Sequence, residues 1–241
     1  MNLAQDAMIS LITVLPNLDQ LQTLNLSGNI LSVACMRELA VSLKTMTGLR
    51  SLKLSKTGLG REGTHLVKVL SACHQLEQLD LSDIQLGQNG AVILSQSLKF
   101  MPRLRVLNLD GNSIGLEGIR SLAALLVQCT RLEELQLGRT SLGDEGSVAL
   151  SQCLTSLPNL RILNLDGNSI GSDGVRSLAA VLPQCHELEE LHLSGTTRRS
   201  TGKDRSILLS ALKYFDDWKA LNQFRKTEGR SLKADDDVIA A

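Results

Sequence analysis

Gly58-Leu59-Gly60-Arg61-Glu62-Gly63 spells GxGxxG, with Asp80 twenty residues beyond Gly60. Glycines at that spacing let a backbone approach a pyrophosphate at a helix start, and an acid about 20 residues on can take a ribose hydroxyl. Four histidines, His65, His74, His186 and His192, and five cysteines could serve acid–base, nucleophilic or metal chemistry. Arg198, Arg199, Lys203 and Arg205 cluster closely enough to hold a phosphate or an acidic partner. A side chain does chemistry only where its element puts it, so the elements decide among these readings.

Those elements repeat. LxxLxL begins at Leu21, Leu49, Leu76, Leu104, Leu132, Leu160 and Leu188, with spacings of 28, 27, 28, 28, 28 and 28 residues. A fixed period of this size marks stacked strand–helix units rather than one closed core. In 104–131, Leu104, Leu107 and Leu109 face the core from a short strand, and Val106, Asn108 and Asp110 point away. Asn112 ends the strand, where its amide can satisfy loop groups that have lost a sheet partner. Gly115 and Gly118 bracket the turn into a helix carrying Ile119, Leu122, Leu125 and Leu126 at helical spacing.

The repeat disarms most of the candidate chemistry. Gly60 and Gly63 recur as Gly87/Gly90, Gly115/Gly118, Gly143/Gly146 and Gly171/Gly174, so they are turn glycines and only Gly58 is extra. The histidines occupy different repeat positions and form no triad or metal set, and no zinc spacing occurs. Cys73, Cys129 and Cys185 stand 56 residues apart at one repeat position. Two strand spacings separate them by roughly 10 Å, beyond the ~7 Å a disulfide allows, so they read as buried thiols in a reducing compartment. The basic cluster at 198–205 reads as a solvated loop, with a phosphate or acidic contact as the sharper alternative. No catalytic residue, cofactor or metal is expected.

The 25 basic and 25 acidic residues cancel, which argues against nucleic-acid binding. No apolar stretch approaches a membrane span, and the N-terminus, with Asp6 early, lacks a secretory signal. Aromatics are 2% against 43% hydrophobic residues, so the core is aliphatic.

A 56-residue period overlies the first: 104–131 and 160–187 are identical at 20 of 28 positions, and the strand-ending residue runs Asn29, Thr57, Ile84, Asn112, Thr140, Asn168, Thr196. LxxLxLxxN alternating with LxxLxLxxT, with GxxG before the helix, resembles the ribonuclease-inhibitor class of leucine-rich repeats over residues 18 to about 200. The class includes ribonuclease inhibitor, NOD-like receptor sensor regions, Ran GTPase activators and tropomodulin. The resemblance implies an α/β horseshoe solenoid of about seven repeats, with parallel strands on the concave face and helices on the convex face.

Residues 1–17 read as the helix of a half-repeat or N-terminal cap, 18–200 as the solenoid, 201–224 as a helical cap holding Tyr214, Phe215, Trp218 and Phe224, and 225–241 as a polar tail. The opening half-repeat is either a natural cap or the end of something longer, and the second is the expectation. The column Arg50, Glu77, Arg105, Glu133, Arg161, Glu189 alternates in charge, so each member should face an unlike partner on both sides.

Function is expected on the concave face, at Lys53, Asp80, Asn108, Asp110, Glu134, Gln136, Asn164, Asp166, Glu190 and His192. Among all its outward positions five acids oppose one lysine, which suits a basic protein partner. The chain is similar to the sensor region of a NOD-like receptor, which implies a non-catalytic, cytoplasmic, ligand-sensing or scaffold module of the kind used in innate immunity. The alternative is a regulator such as a Ran-type GTPase activator or a ribonuclease-inhibitor-like inhibitor.

Overall fold

A computed structural model describes residues 5–18 and 20–195. The expected cap at 201–224, the tail at 225–241 and the cluster Arg198, Arg199, Lys203 and Arg205 lie outside the described residues.

Seven parallel strands form one sheet in chain order: β1 (Thr23–Asn25), β2 (Ser51–Lys53), β3 (Gln78–Asp80), β4 (Val106–Asn108), β5 (Glu134–Gln136), β6 (Ile162–Asn164) and β7 (Glu190–His192). The expected leucines set the register. Leu24, Leu52, Leu79, Leu107, Leu135, Leu163 and Leu191 pair in one continuous row, all buried. A one-residue slip would turn every leucine into solvent, so the pattern permits a single register.

Helices line the other side: α1 (Gln5–Val14), α2 (Val33–Leu43), α3 (Thr64–Val69), α4 (Gly87–Leu98), α5 (Gly115–Leu126), α6 (Gly143–Leu154) and α7 (Ser172–Val181). Strands, helices and a wholly aliphatic and sulfur-bearing core between them make the leucine-rich-repeat solenoid that the sequence predicts. α1 closes the first turn of it, burying Met8 and Ile12.

The turn glycines divide into two kinds. Gly115 has φ +68°, a conformation that costs other residues dearly, and it opens α5. Gly118 is already within the helix. A Cβ there would sit 2.5 Å from Ile114 Cγ2 and 2.9 Å from Ala91 Cβ. Gly118 and Gly174 therefore serve close packing between successive helices, whereas at Gly63 and Gly90 the space is taken by the leucine four residues earlier in the same turn.

The 27-residue repeat at 49–75 departs from the rest. Its helix has only six residues and is flanked by 3-10 turns, Gly60–Gly63 and Leu70–Ala72, whereas α4, α5 and α6 have twelve residues each. One residue fewer leaves too little chain for a full α-helix, and the tighter 3-10 geometry, rising more per residue, spans the remainder.

Candidate functional site

The strand-ending amides bind repeat to repeat. Asn112 is fully buried; its Oδ1 accepts from Ile84 N (3.2 Å) and Leu86 N (3.0 Å) of the preceding repeat. Its Nδ2 donates to Leu81 O (2.7 Å) and Leu109 O (2.9 Å). Asn168 repeats the arrangement with Thr140 N, Leu142 N, Leu137 O and Leu165 O. Thr140 explains the alternation. Its hydroxyl donates within its own repeat to Leu137 O (2.8 Å) and lies 3.1 Å from Asn168 Oδ1. A threonine closes its own loop, and the next asparagine reaches back over it. The expected role for Asn112 holds, and it extends across the boundary between repeats.

The concave face forms as expected. Lys53, Asp80, Asn108, Gln136, Asn164 and His192 fall in one registered row. Glu134 and Glu190 share a second row with Ser51, Gln78, Val106 and Ile162. All twelve are half-buried, opposite the buried leucines. Asp110 and Asp166 lie two residues past the strand ends, on the same side.

The ten candidates are not equivalent. Asp80, Asn108 and Asn164 each accept, through Oδ1, the backbone N–H two residues on, from Ser82, Asp110 and Asp166 at 2.9–3.0 Å. Asp110 Oδ1 accepts from Gly138 N (2.5 Å), its Oδ2 accepts from Asn164 Nδ2 (3.1 Å), and Asp166 Oδ1 accepts from Ser194 N (2.6 Å). These carboxylates tie a loop to the next repeat, where the short strands have run out of ladder. Burial pushes the Asp110 carboxyl above its ordinary value, against lowering by the Gly138 N–H and by Arg139. Glu134 accepts only from Gln136 Nε2 (3.0 Å) in the same strand, and Glu190 lies 3.5 Å from His192. Glu134 and Glu190 are thus the acids that project from the face without holding backbone, and the apolar Val106 and Ile162 flank Glu134 in register. That apolar component is readable from the alternation, which places both side chains outward.

The charge column sets Arg105, Glu133 and Arg161 between unlike charges on both sides, as expected, but closes its contacts on one side only. It forms three discrete pairs, Arg50–Glu77 (2.8 Å), Arg105–Glu133 (2.8 Å) and Arg161–Glu189 (2.6 Å), each joining an arginine to the following repeat. Arg105 and Arg161 engage their carboxylates through Nε and Nη2 together. A fork that saturates one carboxylate leaves the preceding glutamate outside ion-pair distance. The Arg105 hydrogen bonds hold the Glu133 carboxyl below the usual range.

Cys35, Cys73, Cys129, Cys153 and Cys185 are all buried and unpaired. Burial pushes the thiols of Cys73 and Cys129 up to about 11 and that of Cys153 to about 12, so at neutral pH they pack as small apolar groups. Asp80 of the GxGxxG reading is held by Ser82, and Gly58 and Gly60 both take positive φ as loop glycines. Among the described residues, no group of three or more His, Cys, Asp or Glu is placed to hold a metal, and no helix is long and apolar enough to cross a membrane.

A family model described as "Leucine Rich repeat" matches residues 101–123, 128–151 and 156–179. The mouse (Mus musculus) Tonsoku-like protein is 41% identical over 91 residues, which are 36% of this chain and 7% of that protein. The tropomodulin C-terminal domain of Caenorhabditis elegans overlaps loosely, at 13% identity and a TM-score of 0.35, covering 95% of this chain and 100% of that one. With the registered strands, outer helices and interlocked asparagines, the matching repeats make this chain a leucine-rich-repeat solenoid.

Proposed function

We propose that the concave strand face docks a protein partner and catalyses nothing. The observation that carries this is the registered patch in which Glu134 and Glu190 alternate with Val106 and Ile162. Acids that hold no backbone, set beside half-buried aliphatics, combine long-range attraction with a surface that gains from losing water. The partner that fits is a basic protein segment with apolar side chains among its charges. Lys53, Gln136 and His192 complete the contact row, and Asp80, Asn108, Asp110, Asn164 and Asp166 shape it while holding the loops.

The finer form of this reading is a cytoplasmic, ligand-sensing module like the sensor region of a NOD-like receptor. The near-identical 56-residue duplication supports it, since duplicated repeats diversify recognition surfaces readily.

The test is reversal of the two acids that carry no scaffold load. Glu134→Lys/Glu190→Lys and the unchanged chain would each be cross-linked to their neighbours in source cells, and the captured proteins compared. A basic protein held by the unchanged chain and lost from the variant is the expected result. Identical captured sets would remove the concave face from consideration. An immunoblot of the native protein addresses the receptor form separately: a band far above 26.1 kDa fits it, and one near that mass opposes it.

A further inference from the structure

The convex face carries a second surface that the concave reading does not use. An open groove of about 720 Å³ lies between α2 and α3. Ala40 and Val41 of α2 floor it with Val69 and Ala72, and Arg37, Lys44, His65 and Lys68 rim it. Helical spacing accounts for this. Arg37, Val41 and Lys44 recur at i, i+4 and i+7 on α2, and His65, Lys68, Val69 and Ala72 at i, i+3, i+4 and i+7 across α3 and its 3-10 turn. The sole acid on α2, Glu38, lies about 100° round the helix from Arg37.

A smaller groove of about 450 Å³ lies between α5 and α6, and three features set the α2–α3 groove apart from it. The short 49–75 repeat leaves α2 and α3 the most loosely joined consecutive pair of helices. Arg120 and Arg176 elsewhere on the convex side are paired, with Glu145 (3.1 Å) and Asp173 (3.6 Å), and Lys99 lies over the Phe100 ring (4.9 Å to its centroid), whereas among the described residues no ion pair engages Arg37, Lys44 or Lys68. Val41 is 58% exposed, a large apolar side chain left in water beside those charges.

We propose that this groove docks an acidic amphipathic helix of a partner protein, aliphatic side chains down onto Val41 and Val69 and carboxylates out to Arg37, Lys44 and Lys68. Unneutralised cations on both rims select an acidic occupant. A concave apolar floor selects a ridge of side chains, as a helix presents at i, i+3, i+4 and i+7. A flat anionic bilayer would touch the rims and leave the floor empty.

Fluorescence anisotropy on the full chain tests this with a labelled peptide of about 18 residues, long enough for five helical turns. Leucines occupy one helical face and glutamates the rest; a second peptide has the same composition scrambled. The expected result is binding of the first peptide, weaker binding of the second, and a loss of about tenfold or more in Lys44→Glu/Lys68→Glu. Val41→Asp, at an exposed site that leaves the core alone, also weakens it. Glu134→Lys/Glu190→Lys leaves it unchanged, so this proposal and the concave one stand or fall separately. Equal binding of the scrambled peptide, or unaltered binding by the charge-reversed chain, overturns the proposal. So does binding to phosphatidylserine vesicles through Lys44 and Lys68 with the peptide ignored.

Discussion

The stretch from α4 to α7 and the stretch from α2 to α3 obey one repeat rule and reach different surfaces. In the first, Gly118 meets Ala91 and Gly174 meets Ser147, asparagines reach back over their neighbours, and convex arginines find carboxylates. In the second, one residue is missing, the helix shrinks to six residues and the seam opens. Regular spacing leaves a smaller groove, about 450 Å³ between α5 and α6, and the shorter repeat is met by a wider one of about 720 Å³ without a break in the sheet, because β2 keeps its register with both neighbours. Solenoid stability is close to a sum over units and interfaces, which lets one interface vary while the rest hold.

The largest expected effect tests that interlock. Asn168→Ala strips hydrogen bonds from Thr140 N, Leu142 N, Leu137 O and Leu165 O in a fully buried site. At about 1–3 kcal/mol for each buried group left without a partner, and with partial relaxation, the loss should be about 3–5 kcal/mol. Urea unfolding measures it. Thr57→Val, which removes a buried hydroxyl bonded to Leu54 O in its own repeat, should cost about 1–2 kcal/mol. Equal losses would mean that the strand-ending residues act within repeats and not between them.

Packing gives the next contrast. Ala91→Leu inserts three carbons into a fully buried seam opposite Gly118 and should cost about 1–3 kcal/mol. Ala72→Leu places the same carbons on the floor of the open groove and should change stability by under about 0.5 kcal/mol. If both substitutions cost the same, the α2–α3 seam is as tight as the others. Thr140→Val, which removes a hydroxyl bonded to Leu137 O, falls in between at about 1–2 kcal/mol.

Much of this was legible in the leucine spacing, because strand alternation and burial leave a leucine few places to go. Asn112 was legible too: a buried amide at a strand end has few partners beyond orphaned loop groups. The packing role of Gly118 was not, since its reason is a neighbour 27 residues earlier in sequence, Ala91. Nor was the division of labour among the acids. Asp110 and Glu134 look alike as outward carboxylates, and only the trajectory of the next loop puts Gly138 N against the first. The 27-residue spacing was visible, but its consequence depends on how a short helix packs, which no single repeat encodes.

Asp110 separates scaffold acids from free ones by pH. Burial raises its folded-state pKa above the ordinary aspartate value. The folded protein then holds the proton more tightly than the unfolded chain, so stability contributed by Asp110 is present below the unfolded value and lost as pH rises through the folded one. Asp110→Asn keeps an acceptor for Gly138 N and gives up the bond from Asn164 Nδ2. The margin of the natural chain over this variant should be greatest in acid and narrow above the window. Glu134→Gln, whose carboxylate holds no backbone, supplies the comparison.

The smallest effect is expected at the ion pairs. Arg161 closes a two-point contact on Glu189, yet both side chains are about half exposed, 53% and 51%. Water and salt screen such a pair, and ordering two long side chains offsets much of what the contact supplies. Arg161→Ala should leave the urea midpoint within error at physiological salt and lower it slightly only at low ionic strength, where screening weakens. The same substitution at Arg50, beside the loosely packed α2–α3 seam, should behave identically, because both pairs sit at the strand entrance rather than between helices. A midpoint that falls clearly for Arg50→Ala and not for Arg161→Ala would show that surface charge, and not the length of α3, holds the first repeats in line.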